Sequence, residues 1–136
     1  MDEDGWLLRY GLHPDEHGLG EARTLLVEES RLEREVQGQG DTSLMKLCCV
    51  QLFHAGVLDD ALLIWRAKTA SWDADCSIDI QLLCGGGLNQ TKTWLASQQS
   101  EESQSALRRL LRCEEAGDFD GFSPGERFAA YVAYYA

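Results

Sequence analysis

The sequence predicts an all-α protein: stacked antiparallel helical hairpins in a short array of about six to seven helices. Three observations carry this. Apolar residues recur at helical spacing along most of the chain. Helix starts are marked repeatedly by Ser, Thr or Asp ahead of an apolar run, most clearly at Ser123-Pro124-Gly125-Glu126. The stretch VQLFHAGVLDD (50–60) is nearly repeated by IQLLCGGGLNQ (80–90), and Ala116-Gly117 supplies a third Ala-Gly or Gly-Gly turn, so that Gly56, Gly86 and Gly117 fall 30 and 31 residues apart. Such a period marks stacked supersecondary units.

The elements follow in order. Residues 1–20 read as an irregular strap or a short first helical turn, with Trp6, Leu7, Leu8, Tyr10 and Leu12 interrupted by His13-Pro14 and glycines. Residues 21–37 read as a solvated amphipathic helix, with Leu25, Leu32 and Val36 on the inner face, Leu26 and Glu29 alongside, and Glu28, Glu33, Glu35, Arg31 and Arg34 on the rest. Residues 42–136 hold three hairpin units. Thr42 or Ser43 caps LMKLCCVQLFHA, which is apolar on most sides and therefore central; Gly56 ends it. Asp59 starts ALLIWRAK, with Ala61, Leu62, Trp65 and the Lys68 stem inward. Asp73 caps a helix over Ala74–Cys84. There Ile78, Ile80, Leu82 and Cys84 also alternate like a strand, and likeness to the first unit decides for helix. Gly85-Gly86-Gly87 turns the chain into Leu88–Ser97, with Leu88, Thr91, Trp94 and Leu95 inward. Ser100 caps the next helix, whose stripe is Ala106, Leu107, Leu110 and Leu111, and the last helix presents Phe128, Tyr131, Val132 and Tyr135 on one side.

The length, 136 residues, suits one domain around a single core. The net charge of −11 disfavours nucleic acid and anionic membrane and favours solubility or a basic partner. The acidic N-terminus, the lack of a long apolar run and five cysteines without a framework point to a reduced, cytoplasmic protein.

The first hairpin resembles the tetratricopeptide repeat. Gly56, Ala61 and Trp65 carry the resemblance, with Cys48, Cys49 and Leu52 at the small and apolar positions of the preceding helix, over about one repeat length. The second unit departs from it, with Thr91 for alanine and Asp79 for glycine, and no repeat ends in proline. The resemblance implies antiparallel helix pairs and peptide binding, the first helices lining a concave face. Lys46, Val50, Phe53 and His54 would face that groove from one unit, and Cys76, Ile80, Leu83 and Cys84 from the next. An apolar face of this size needs a cover. The chain's own 21–37 helix, Trp6–Leu12 strap or Phe128–Tyr135 helix would supply it, or else a partner peptide or a second copy in a homodimer.

Catalytic and cofactor chemistry finds little support. Adjacent Cys48 and Cys49 project about 100° apart on a helix, and no close Cys/His pairs announce zinc. A Cys–His nucleophile with His54 lacks positive surroundings. Asp73, Asp75 and Asp79, with Asp59 and Asp60, could serve a small metal-dependent hydrolase, but such residues are more often caps and solvated surface. Asp118-Phe119-Asp120-Gly121 is an incomplete calcium loop, and Gly85–Gly87 lacks the lysine of a phosphate loop. Trp65, Trp72 and Trp94 read as core or hinge residues. The expected function is a non-catalytic protein-interaction module without cofactor, binding a partner through an apolar groove with an acidic rim; a bacterial immunity-type protein is one form of it.

Overall fold

A computed structural model describes Met1–Ala136. It is all-α, with eight helices and no strand: α1 Glu3–Tyr10, α2 Glu16–Glu35, α3 Thr42–Ala55, α4 Asp60–Lys68, α5 Trp72–Ser77, α6 Leu88–Gln98, α7 Glu101–Glu115 and α8 Pro124–Tyr135, with a 3-10 turn at Ile80–Cys84. No helix is long and apolar enough to cross a membrane.

Capping explains most boundaries. Asp2, Asp15, Asp41, Ser71, Ser100 and Ser123 each accept a hydrogen bond from a first-turn backbone N–H. Asp59 stands before α4 without such a bond. Two of these caps revise the N-terminal strap: Asp2 starts a true helix, and Asp15 starts α2 at Glu16, five residues ahead of the expected start. α1 docks through Trp6, whose indole N–H donates to Gln51 Oε1 (3.0 Å), while Gln51 Nε2 donates to the Gly11 carbonyl (2.7 Å). Gln51 is fully buried in α3, and both of its hydrogen bonds fasten α1 to the core.

α3 is the central helix: every residue from Leu47 to Phe53 is buried. α1, α2, α5, α8 and the 3-10 turn all pack on it. Its most extensive partner is α2, whereas α3 and α4 touch only sparsely. The glycine-hinged segments therefore do not close as the simple hairpins expected. Gly56 ends α3 in the left-handed conformation (φ 70°), but Gly85 is right-handed (φ −60°). The two turns lie against each other, backbone to backbone, with Gly85 on the carbonyl of Phe53 and Gly86 on that of Gly56. The near-repeat thus places two glycine turns in mutual contact.

The expected helix over 74–84 is broken. α5 stops at Ser77, Ile78 and Asp79 are extended, and the 3-10 turn follows. Lys68 sits at this break. Its ammonium is buried, and it takes the carbonyls of Asp75 (2.7 Å) and Ile78 (2.5 Å) as acceptors. These carbonyls lie at the end of α5, so the lysine supplies the missing helical partners. Trp65 is buried and Trp94 half-buried, but Trp72, the first residue of α5, is 74% exposed, so it is neither core nor hinge packing.

α2 is rotated from the expected register. Ala22, Leu26, Ser30 and Glu33 face inward, and Val36 is exposed. Glu33, expected on the solvated face, is 1% exposed. Its Oε1 accepts the N–H groups of Gly38 (2.8 Å) and Gly40 (3.1 Å), and its Oε2 accepts the Ser71 hydroxyl (2.5 Å). One carboxylate thereby fixes the α2–α3 turn and the cap of α5. Burial alone would raise its pKa; the hydrogen bonds from Ser71, Gly38 and Gly40 outweigh it and hold the group below the ordinary glutamate range. A folded-state value below the unfolded one gives stability that is complete above the unfolded pKa and is lost as pH falls through the folded one. Urea unfolding should therefore show stability falling below about pH 4.5, and Glu33→Gln should flatten that fall while lowering stability at pH 7.

Candidate functional site

The residues expected to line a partner groove lie together, but the groove is filled by the chain itself. Val50, Phe53, Ile80, Leu83 and Cys84 are buried. Tyr131 of α8 sits edge-on to Phe53 (6.2 Å between centroids), and Phe122 meets the same ring at 6.5 Å. The Tyr131 hydroxyl donates to Asp79 Oδ2 (2.5 Å). Phe128 stacks on His54 at 4.0 Å and 23°. The helix α8 thus covers the Phe53–His54 end, because its Phe128–Tyr131 stripe and the apolar face of α3 bury each other, while α4 and α6 pack on the 3-10 turn that carries Ile80, Leu83 and Cys84. Of the eight residues, His54 and Cys76 stay exposed and Lys46 is half-buried. The expectation of an open apolar groove is corrected accordingly.

The aspartates do not converge on an open site. Asp75 receives Arg109 on both oxygens (3.1 and 2.7 Å), and Lys68 lies 3.1 Å from its Oδ1. Burial raises the Asp75 pKa, but the hydrogen bonds from Arg109 and Lys68 prevail and hold it low. Asp60 is buried in a two-point pair with Arg23 (2.8 and 2.9 Å). Asp79 carries Tyr131, with Lys46 at 4.0 Å, and Asp73 is exposed in the first turn of α5. No three His, Cys, Asp or Glu side chains come together as a ligand set. The thiols are inert at neutral pH where they are deepest: burial pushes Cys48 and Cys84 up to about 12. None of the five cysteines is disulfide-bonded.

Charge is distributed unevenly, which the sequence total conceals. Arg23, Arg31, Lys46, Arg66, Lys68, Lys92 and Arg109, seven of the twelve basic side chains, are held in ion pairs within the chain. Of the acids without an ion-pair partner, Glu33 is buried and the others lie at or near the surface. One concentration lies where the N-terminus of α1 meets that of α3. Burial raises the Glu3 pKa, and the charges of Asp4, Asp41 and Asp2 raise it further against the opposing charge of Lys46. Asp2 and Asp41 are caps, whereas Glu3 and Asp4 have no partner among the ion pairs. Lys46 links this corner to the end of α8, with its ammonium 5.0 Å from the ring centroid of Tyr134, which is 66% exposed. The individual acids are plain in the sequence. Their meeting across 37 residues is not, since it depends on α1 docking through Trp6.

Comparison with models of known families, with curated proteins and with solved structures gives no match.

Proposed function

We propose that this chain is a non-catalytic interaction module that binds a basic protein partner through its acidic outer surface. The corner of Glu3, Asp4 and Asp41, with Tyr134 beside it, is the contact. The observation that carries the reading is the internal use of basic side chains: seven of twelve are paired within the fold, so the negative excess faces outward. Such a field steers an oppositely charged partner and raises its association rate. An exposed tyrosine beside it supplies the amphipathic contact area that interfaces favour. A basic toxin held by an immunity-type protein is one partnership of this chemistry. Two copies meeting at this corner would set like charge against like, which weighs against a homodimer there. The hydrolase reading loses support because Asp75, Asp79 and Asp60 are each engaged by a basic or hydroxyl partner.

Affinity capture from native lysate tests this. A stoichiometric basic protein should be retained at low salt, with an association rate that falls as ionic strength rises. The double substitution Glu3→Gln, Asp4→Asn spares the caps and should weaken binding by about tenfold or more without changing stability appreciably. An acidic or neutral partner, or an association rate indifferent to salt, would overturn the proposal.

A further inference from the structure

His13, in the connection between α1 and α2, and His54, in the last turn of α3, are 41 positions apart and in contact. His13 Nδ1 and His54 Nε2 are 2.8 Å apart, with the rings nearly perpendicular (89°). The ring centroids are 4.4 Å apart. That is shorter than a head-on pairing of two imidazoles gives, so the nitrogens are not aimed straight at one another. Phe128 holds the arrangement from below, stacked on His54 and edge-on to His13 (5.2 Å, 75°). Both histidines are exposed, so the pair opens to solvent.

The geometry points to a divalent transition-metal site in which His13 Nδ1 and His54 Nε2 are two cis ligands and water completes the shell. Metal–imidazole bonds are about 2.0–2.1 Å, so two nitrogens on one ion at an angle near 90° lie roughly 3 Å apart. The pair needs to open by only a few tenths of an ångström. Electrostatics favour a cation there, because His54 is at the C-terminal end of α3, where unpaired carbonyls carry partial negative charge, in a chain of net charge −11. Burial, and then the neighbouring His13, lower the pKa of His54, so it offers the free base that a metal requires. Binding moves the proton shared by the facing nitrogens to the far nitrogen of the ring that held it; two neutral imidazoles then ligate with no net proton release. The bound ion would tie the α1–α2 connection to α3 beneath α8. Neither the acidic corner nor a protein partner is involved, so this site stands apart from the proposed function.

Titration with Ni²⁺ under reducing conditions tests it. One equivalent should bind and raise the melting temperature of the folded protein. His13→Asn and His54→Asn should each lower the affinity at least about tenfold and abolish the thermal shift. His17→Asn, at the third and exposed histidine, should leave both unchanged. An independent reading on the unsubstituted chain uses Zn²⁺ and the imidazole C–H proton resonances: those of two histidines should move and those of His17 should not. Failure of Ni²⁺ to bind the unsubstituted chain, binding that survives both substitutions, or a response confined to His17 would overturn the inference.

Discussion

Gly85→Ala should unfold or severely weaken this protein, with a loss of about 3 kcal/mol or more and a melting temperature lower by about 10 °C or more. A Cβ at Gly85 would lie only 2.1 Å from the carbonyl oxygen of Phe53 and 2.9 Å from its Cα. Those atoms are backbone in the most buried helix of the fold, so they cannot swing aside as a side-chain end would. The backbone conformation of Gly85 is ordinary right-handed (φ −60°, ψ −29°), so the cost is steric alone. Gly121→Ala is the useful contrast. Gly121 has φ +67° and nothing within 4 Å of an added Cβ, so only the left-handed penalty of about 1 kcal/mol applies. Chemical denaturation of the two variants should rank Gly85→Ala as much the worse. The opposite ranking would mean that the two glycine turns are not in contact, and the account of the near-repeat would fail with it.

The second large effect is expected at Lys68. This side chain is 4% exposed and meets three acceptors: the Asp75 and Ile78 carbonyls and the Asp75 carboxylate. Lys68→Ala removes them together, leaving the end of α5 unsatisfied and Asp75 with only Arg109, at a cost of about 3–5 kcal/mol. Lys68→Met keeps most of the buried stem and should recover the packing part but not the polar part. Arg109→Met should cost less than Lys68→Ala, because Arg109 is partly exposed and solvent can replace it. Equilibrium unfolding of the three variants checks the order. If Lys68→Ala costs under about 1 kcal/mol, the lysine does not organise the break between α5 and the 3-10 turn.

The extent to which this fold is legible in the sequence follows from the range of the interactions concerned. Ser100 and Ser123-Pro124 mark α7 and α8 because a cap is a bond between residues three apart, and the all-apolar run of α3 announces a central helix by its composition. The same local signals were present at Asp2 and Asp15, where glycines and His13-Pro14 read as interruptions and concealed two helix starts. The helix expected over 74–84 stops at Ser77, where the carbonyls at its end meet Lys68, on the preceding helix, a contact no local pattern announces. The expected inner face of α2 was off by one position. Val36 is apolar and exposed, while Glu33 is charged and buried, and hydropathy cannot know that Ser71, Gly38 and Gly40 satisfy a carboxylate.

The candidate site divides in the same way. Residues Val50, Phe53, Ile80, Leu83 and Cys84 are all buried in one core, but whether a partner or the chain itself covers them depends on how the chain closes. The sequence by itself determined the helical class, the central place of α3, the caps of α7 and α8 and the size of the negative charge, because these rest on composition and on contacts within a turn or two. Only the tertiary structure decided that α8 covers the Phe53–His54 end, that acids from α1 and α3 share a corner, and that His13 meets His54. Each of these is a contact between residues some 35 to 80 positions apart, set by packing of whole helices on one core.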